Sequence, residues 1–394
     1  MVRPLEGVRV IDMSRYIAGP LCAQILGDLG AEVIKVESPR GEESRTAYPV
    51  VDGFSLYFAN YNRNKIGVTL NTRTDKGKGL LREIIGCSDV LIQNYRIGII
   101  EKMGFSYPEL STINPRVIMV NISGFGRRSH LADWPAYDEV AQAMSGLMDI
   151  TGPAGGPPTL VGTFAVDHMT ALFATIGVLG ALEYRQRTGE GQSVDVALRD
   201  VAMSTLTTTI SRFLVTGGAD TRVGNRHRYH AAINTYPTKD GYVYVNAARD
   251  HLWDRLLSVI GREDLRAVEA FSTRQARAER RDEIDAIIGA WASQRTSWEA
   301  ASSLAQAGVP SAPVRTIPEI ATDLEIREQR MVLDVLSPEG RTLPVVGNPI
   351  DLGKTPIGVR LSPPRLGEHN EYVYCQLLGH TSSELGSWRE NGIV

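Results

Sequence analysis

The sequence of 394 residues contains little cysteine and no surplus of basic residues. Its three cysteines, Cys22, Cys87 and Cys375, lie far apart, without a C-x-x-C pair or a neighbouring histidine. This spacing argues against a disulfide framework and against a bound metal, and it fits a reducing cytoplasm. Lys and Arg number 42 and Asp and Glu number 45, so the formal net charge of -3 gives no basis for binding nucleic acid.

The sequence also lacks long apolar runs and the pattern of a signal peptide. Its first segment, MVRPLEGVRVIDMS, does not show the basic-then-apolar plan of such a peptide. The longest nearly uncharged apolar run, from Met169 to Leu182, is about 14 residues long, whereas a membrane-spanning helix needs about 20. Because 43% of the residues are hydrophobic, the chain can bury a large core. We therefore expect a buried helix at this run and no membrane partner.

The first half of the chain predicts alternating strands and helices. A strand at 8–11, a helix at 21–29 closed by Gly30 and a strand at 31–37 make a first βαβ unit. The alternation continues with further strands and helices at 67–71, 75–85, 89–94, 107–113 and 116–126. Such a pattern is typical of a Rossmann-like parallel sheet with helices on both faces.

Ligands of such sheets bind beyond the carboxyl ends of the strands. The predicted ends fall at 15–16, 37–40, 94–96 and 123–126. No G-x-G-x-x-G follows these strands and no G-x-x-x-x-G-K-[ST] occurs, so a dinucleotide oxidoreductase and a P-loop NTPase have little support.

The second half predicts a smaller α+β unit. Residues 193–214 begin as a strand and continue as one long helix, and the glycine-rich stretch 216–226 is interpreted as a linker. A strand, turn and strand follow from Asn234, and Thr296 with Glu299 forms a capping box for a later helix. The tail from Val345 is rich in proline and glycine, and we expect it to wrap over another surface.

Several blocks, in the same order along nearly the full chain, resemble the class III CoA-transferases of the formyl-CoA transferase and carnitine CoA-transferase type. The matching blocks are LEGVRVIDMSRYIAGP (5–20), LGDLGAEVIKVESPRGE (26–42), NRNKIGVTLN (62–71), SDVLIQNYR (88–96), INPRVIMVNISGFG (113–126), YDEVAQAMSG (137–146) and the helix led by Asp167, which ends in GALEYRQRTGEGQSVDVAL. The order of several independent blocks makes the resemblance specific.

The resemblance implies ring-shaped subunits in an interlocked homodimer, each with a large CoA-binding domain built from both chain ends. On this basis we assign 1–200 to the N-terminal part of the large domain, 201–224 to a linker, 225–320 to the small α+β domain and 321–394 to a return segment that completes the large domain.

The resemblance also assigns the chemistry to Asp167, as the nucleophile that forms an aspartyl anhydride and then an aspartyl-CoA thioester. At a helix N-terminus the macrodipole would favour the ionised carboxylate by about 0.3–1 kcal/mol. From the residues alone, a helix-capping aspartate that only satisfies backbone donors is the competing interpretation.

CoA needs cations for its phosphates and an apolar shelf for its adenine, and it enters as part of the substrates, with no cofactor bound permanently. The positions that correspond to CoA-contacting residues of the family are Arg15, Tyr16, Ile17, Ala18, Leu70, Arg73, Asn94, Tyr95, Lys102 and Tyr137.

A departure from the family suggests the substrate. Formyl-CoA transferase has a run of glycines near the start of the small domain, where this chain has NRHRYHAA (225–232). We hypothesise that Arg226, His227, Arg228 and His230 bind the second carboxylate of a small dicarboxylic acid, such as succinate or a mesaconyl-, citramalyl- or itaconyl-type relative. A solvent-exposed basic linker is the alternative.

Two other functions remain open at this level. A 2-methylacyl-CoA racemase has a histidine base where this chain has Tyr137, and an unperturbed tyrosine is a poor base at neutral pH. A catalytically silent CoA-binding protein would keep the fold without activity.

Overall fold

In this computed structural model, residues 2–337 and 340–394 are described, and the chain divides into two compact units. The first unit combines the residues up to 147 with 161–211 and 324–394, and the second combines 148–160 with 212–323. The stretch 201–224, interpreted as a linker, is therefore divided between the two units. The assigned small domain, 225–320, falls within the second unit, and most of the return segment falls within the first.

The first unit is built on a six-stranded parallel sheet. The strands up to Ala197 are β1 (Arg9–Asp12), β2 (Glu32–Glu37), β3 (Val50–Val51), β4 (Phe54–Ser55), β5 (Lys65–Thr69), β6 (Val90–Gln93), β7 (Ile118–Ser123) and β8 (Ser193–Ala197). All except the short hairpin β3–β4 join the sheet, in the order β5-β2-β1-β6-β7-β8. The prediction of an α/β fold with a large parallel sheet is confirmed.

Helices connect these strands and cover both faces of the sheet. They are α1 (Ala18–Asp28), α2 (Leu56–Asn62), α3 (Asp75–Gly86), α4 (Ile99–Lys102), α5 (Tyr107–Ile113), α6 (Asp138–Ser145), α7 (Leu147–Ile150), α8 (Ala165–Thr188), α9 (Leu198–Ser204) and α10 (Thr207–Thr216), with a 3-10 helix at Glu43–Thr46. Successive strand residues face opposite ways, so Val10 packs with α1 and α8 whereas Ile11 packs with α3. The strands are therefore apolar on both faces.

The single long helix predicted after β8 is wrong. The chain forms two shorter helices, α9 and α10, separated at Thr205 and Leu206. The hydroxyls of Ser204 and Thr205 donate to the carbonyls of Val201 and Ala202, both at 2.7 Å. Such side-chain bonds compete with the backbone ladder and end the first helix.

Helix α8 is longer and less buried than the sequence suggests. By length and composition alone it is apolar enough to cross a membrane, and 44% of its most apolar window is buried within the structure. The buried side packs on α1, while Leu172, Phe173 and Ile176 on the other side are 50%, 46% and 63% exposed. The sequence predicts a buried helix here, but only one side of α8 is buried in the single chain.

The second unit is a small α+β structure, as predicted. Its antiparallel strands are β9 (Ile233–Pro237), β10 (Tyr242–Asn246) and β11 (Ser311–Pro313), and its helices are α11 (Asp250–Ile260), α12 (Arg274–Glu279), α13 (Arg281–Ala292), α14 (Ser297–Gln306) and α15 (Ile317–Ala321), with 3-10 helices at Glu263–Ala267 and Glu269–Phe271. The capping box is confirmed, because Thr296 Oγ1 accepts the N–H of Glu299 at 3.2 Å and Glu299 accepts the N–H of Thr296 at 2.8 Å.

The C-terminal segment returns to the first unit. It contains α16 (Leu324–Glu328), the hairpin β12 (Val332–Leu336) and β13 (Thr342–Val346), a π-helix at Tyr372–Leu377 and α17 (Ser382–Glu390). This tail covers the exposed edge of β5, where Gly67 N–H donates to His369 Nδ1 at 3.1 Å and Thr69 N–H donates to Asn370 Oδ1 at 2.9 Å. A Cβ at Gly67 would lie 2.9 Å from Pro364, so this close approach requires glycine.

Candidate active site

A cavity of about 810 Å³ opens at the carboxyl ends of the central strands in the first unit. Its walls are the segments that follow β1, β5, β6 and β7, together with 132–137 and the first turn of α8. The sequence analysis placed ligand binding at four strand ends. The structure brings three of them, 15–16, 94–96 and 123–126, around this space, whereas 37–40 lines a neighbouring cavity.

Most of the predicted CoA residues line this cavity. Asp167 lines it together with nine of the ten, namely Arg15, Tyr16, Ile17, Ala18, Arg73, Asn94, Tyr95, Lys102 and Tyr137. The tenth, Leu70, lines a neighbouring cavity of about 730 Å³ that shares Arg15, Arg73 and Tyr95 with the first.

The cavity wall is rich in cations. Arg73, Lys78, Arg96 and Lys102 line it, and within the described part of the chain no ion pair involves any of the four. Arg15 pairs with Glu43 at 3.2 Å. The predicted set omits Lys78 and Arg96, although Arg96 belongs to one of the predicted strand ends, 94–96. This surplus of positive charge suits an anionic ligand.

The loop after β1 is held in an uncommon conformation. Tyr16 has a φ of +64°, in the left-handed region, and its N–H donates to Glu42 Oε2 at 3.2 Å. Asn94 bonds both polar backbone atoms of Arg15, at 2.9 and 2.8 Å. The ring of Tyr16 meets that of Tyr137 edge-on at 5.6 Å, and a hydrogen bond between them raises the pKa of Tyr16 to about 12.

Beneath this loop lie two fully buried lysines. Lys35 on β2 donates to the carbonyl of Ser14 at 3.1 Å and pairs with Glu42 at 2.8 Å. Burial disfavours the ammonium, but Asp12 and Glu42 outweigh burial and raise the pKa of Lys35. Glu42 therefore links Lys35 to the backbone of Tyr16 at the cavity wall.

Asp12 at the end of β1 joins the second lysine to the same loop. Lys65 on β5 donates to Asp12 Oδ2 at 2.7 Å, while Asp12 Oδ1 accepts the N–H of Ser14 at 2.9 Å. Burial raises the pKa of Asp12, but Lys35 and Lys65 outweigh it and hold that pKa at about 2. Burial lowers the pKa of Lys65 to about 8. These charged groups, which the sequence analysis missed, support the cavity floor.

Asp167 is the third residue of α8, and the residue that caps this helix is Phe164. The carboxylate of Asp167 is half-buried and has no hydrogen bond within the described residues. The interpretation of Asp167 as a helix cap is therefore wrong.

Asp138, the first residue of α6, caps α8 in its place. One oxygen, Oδ2, accepts the N–H groups of Val166 at 2.7 Å and of Asp167 at 2.9 Å. Its other oxygen accepts from Gln142 Nε2 at 2.5 Å. Asp138 is fully buried, so it occupies the positive end of α8 and leaves the carboxylate of Asp167 without these donors.

The electrostatic surroundings raise the pKa of Asp167 to about 7. Burial is the largest cause, and the carboxylates of Asp138 and Glu139 add to it. The expectation that the helix N-terminus would favour the ionised form is therefore wrong at this position, because Asp138 takes the backbone donors and adds a negative charge.

The four predicted substrate residues all belong to the second unit, where they fall into two pairs. Arg226 bonds Asp282 and Asp285, both at 2.7 Å, and Arg228 lies 3.7 Å from Asp220 and donates to the carbonyl of Thr221. His227 and His230 line a separate cavity within this unit.

The chain is similar to known proteins over nearly its full length. The profile of CoA-transferase family III matches residues 5–370. The chain is 33% identical over 395 residues to a succinyl-CoA--D-citramalate CoA-transferase from Chloroflexus aurantiacus, covering 100% of this chain and 98% of that protein. It is 32% identical over 382 residues to a succinate--glutarate CoA-transferase from Agrobacterium fabrum, covering 95% and 96%. A crystal structure of a CAIB/BAIF family protein from Brucella suis is 33% identical, with a TM-score of 0.86 over 96% of this chain and 100% of that chain.

The fold and these similarities define an α/β enzyme of acyl-CoA chemistry. The chain belongs to CoA-transferase family III, and the resemblance found in the sequence is confirmed.

Proposed function

We propose that this enzyme moves CoA from an acyl-CoA donor to a small dicarboxylic acid, with Asp167 as the covalent nucleophile. The observation that carries the proposal is the carboxylate of Asp167, which lines the cation-rich cavity without a hydrogen-bond partner within the described residues. A carboxylate engaged in a cap or an ion pair would first have to break those bonds, whereas this one is available for attack.

The reaction conserves the energy of the thioester. The Asp167 carboxylate attacks the thioester carbonyl of the donor, the C–S bond breaks, and CoA thiolate leaves an aspartyl acyl anhydride. The thiolate then attacks the aspartyl carbonyl and releases the donor acid, which gives an aspartyl-CoA thioester. The carboxylate of the acceptor attacks this thioester, the C–S bond breaks, and CoA thiolate leaves a second anhydride between Asp167 and the acceptor. The thiolate then attacks the acyl carbon of the acceptor, which gives the new thioester and frees the Asp167 carboxylate.

The surroundings of Asp167 suit each of these steps. A pKa of about 7 leaves a substantial fraction of the carboxylate ionised at neutral pH. It also makes the group a stronger nucleophile than an ordinary, more acidic aspartate. Burial limits access of water, which would otherwise hydrolyse an anhydride.

The CoA moiety would occupy the walls of the cavity. Arg73, Lys78, Arg96 and Lys102 offer charge for its phosphates, and the first turn of α1 adds backbone N–H groups, since no side chain caps that helix. The CoA-binding set is then the ten predicted residues, with Lys78 and Arg96 added. CoA arrives and leaves as part of the substrates, and no permanently bound cofactor is required.

Small dicarboxylic acids are the proposed substrates, with succinyl-CoA or a mesaconyl-, citramalyl- or itaconyl-type thioester as donor. The support is that two relatives matched over nearly their full length are named for succinyl or succinate transfer. A screen with succinyl-CoA and acetyl-CoA as donors and mono- and dicarboxylic acids as acceptors, read by mass, tests this. New thioesters confined to monocarboxylic acids would reject dicarboxylate specificity, while α-hydrogen exchange in D₂O without a new thioester would indicate a racemase.

We further propose that two ring-shaped subunits form an interlocked homodimer in the cytoplasm. The exposed apolar side of α8, with Leu172, Phe173 and Ile176, supports a partner copy, because contiguous apolar surface of this kind marks an interface. Three free cysteines fit a reducing compartment.

A further inference from the structure

A smaller cavity, separate from the two described in the first unit, lies entirely within the second unit. It has a volume of about 350 Å³, at the lower end of the range of small-molecule sites. His227, His230, Asn246, Arg249 and Arg274 supply its polar lining, and no acidic residue lines it. Arg249 immediately precedes α11 and Arg274 begins α12, so helix ends on two sides fix the backbone that carries the two guanidinium groups.

Arg249 and Arg274 have no bonded acidic partner among the residues that the structure describes. Within residues 2–337 and 340–394, neither guanidinium forms an ion pair or a hydrogen bond. The nearest acid in sequence, Asp250, pairs instead with Arg277. The cavity is therefore positively charged, with two unpaired arginines and no carboxylate in its lining, and it can bind an oxyanion.

The two histidines add hydrogen-bond donors. Their rings stack at 4.8 Å with an interplanar angle of 18°. His227 Nδ1 accepts the N–H of Tyr229 at 3.2 Å, so in the neutral ring the hydrogen lies on Nε2 and is available to donate. Burial, together with His230 and Arg228, lowers the pKa of His227, in keeping with a positive environment.

The arginines adjacent to these histidines in sequence are unsuited to the same role. Arg226 is bonded by Asp282 and Asp285, and Arg228 lies beside Asp220. Both are therefore occupied by protein carboxylates. The cations proposed below therefore differ from those of the sequence hypothesis, because Arg249 and Arg274 come from distant parts of the chain.

We propose that this cavity binds a compact oxyanion through Arg249, Arg274, His227 and His230. Two sources carry that chemistry, a small dicarboxylic acid such as succinate and inorganic phosphate. The first source rests on the proposed function, whereas the site itself does not. The geometry offers two guanidinium groups and two imidazoles around one small space, which matches the several acceptor lone pairs of either anion.

Calorimetric titration of the full-length protein with succinate, and separately with phosphate, tests the site. The variants are Arg249→Gln and Arg274→Gln, and the matched control is Arg262→Gln, which removes the same charge from an exposed ion pair with Asp264 outside the cavity. We expect at least one anion to bind about tenfold or more weakly to each cavity variant and unchanged to the control. Thermal unfolding of each variant shows that it is folded.

The anion that loses affinity separates the two sources. If the cavity holds a small dicarboxylate, succinate binds more weakly to both cavity variants while phosphate binding is unchanged. If it holds phosphate, phosphate binding falls while succinate binding is unchanged. Unchanged binding of both anions in both folded variants overturns the proposal. A parent enzyme that transfers no CoA, or an Asp167→Ala variant that transfers it at the parental rate, would reject the proposed function without altering the calorimetric result.

Discussion

Asp138 Oδ2 accepts the backbone N–H of Asp167 at 2.9 Å, so one carboxylate caps the helix that carries the other. The arrangement separates two roles that a single aspartate at a helix start would otherwise combine. Asp138 satisfies the helix donors, whereas the carboxylate of Asp167 is left unbonded and is destabilised by burial and by the charge of its neighbour.

The rate of acyl transfer is expected to depend on the ionisation of Asp167. Its pKa is raised from 3.8 to about 7, so it is mostly protonated and unreactive below that value and ionised above it. The value of kcat/KM for the acyl-CoA donor should therefore rise with pH and level off above about pH 7, as measured in single-donor assays. A flat profile between about pH 5 and pH 8 would contradict this assignment.

Removing the neighbouring charge should move that profile. Asp138→Asn eliminates a negative charge that raises the pKa of Asp167 while keeping one oxygen to accept from the helix, so the rising limb shifts to lower pH. Weaker capping should cost about 1 kcal/mol of the free energy of unfolding.

Glu139→Gln is the matched variant, since Glu139 also raises this pKa but is exposed. We expect a smaller shift in the same direction, without the loss of stability. If kcat/KM rises at the same pH in both variants as in the parent, the charges of Asp138 and Glu139 do not act on Asp167.

Lys35, which is buried beneath the proposed CoA cavity, should be essential for stability. Lys35→Met leaves Glu42 without its ammonium partner, and an unpaired buried charge costs about 3–5 kcal/mol in the free energy of unfolding, measured by urea denaturation. Adding Glu42→Gln should recover part of the loss. In the double variant KM for acyl-CoA should be higher than in the parent, because the Glu42 carboxylate that accepts from the Tyr16 backbone has been replaced. A single variant as stable as the parent would refute this role.

The proposed homodimer should depend on the apolar face of α8. Ile176 is 63% exposed in the single chain, so Ile176→Glu should cost nothing in an isolated subunit but should place a charge inside the proposed interface. Analytical ultracentrifugation should show a dimer for the parent and for the control Ile176→Leu, and a shift toward monomer for Ile176→Glu. A parent that sediments as a monomer rules out the proposed assembly.

The sequence was sufficient to predict the sheet and most of the strand ends that surround the cavity. Strands buried on both faces appear as short apolar runs, and the residues that end them, such as Arg15 and Asn94, come together wherever parallel strands align. The blocks shared with the family placed Asp167 at the same cavity.

The contacts that surround Asp167 and Arg226 could not be predicted from the sequence. Capping by Asp138 depends on the packing of α6 against α8, and the pairing of Arg226 depends on α13, neither of which is a local pattern. One signal was present, since Lys35 interrupts the apolar run of β2 and Lys65 begins the apolar strand β5, and a charge at such a position predicts a buried partner.

The most direct test of the account is intact-protein mass spectrometry of the enzyme mixed with succinyl-CoA, followed by peptide mapping. We predict a mass increase of one CoA less one water, located on the peptide that contains Asp167 and absent from Asp167→Ala and Asp167→Asn, which should also lose transfer by at least about 10³-fold. An adduct on another residue, or near-parental transfer by either variant, would contradict the account.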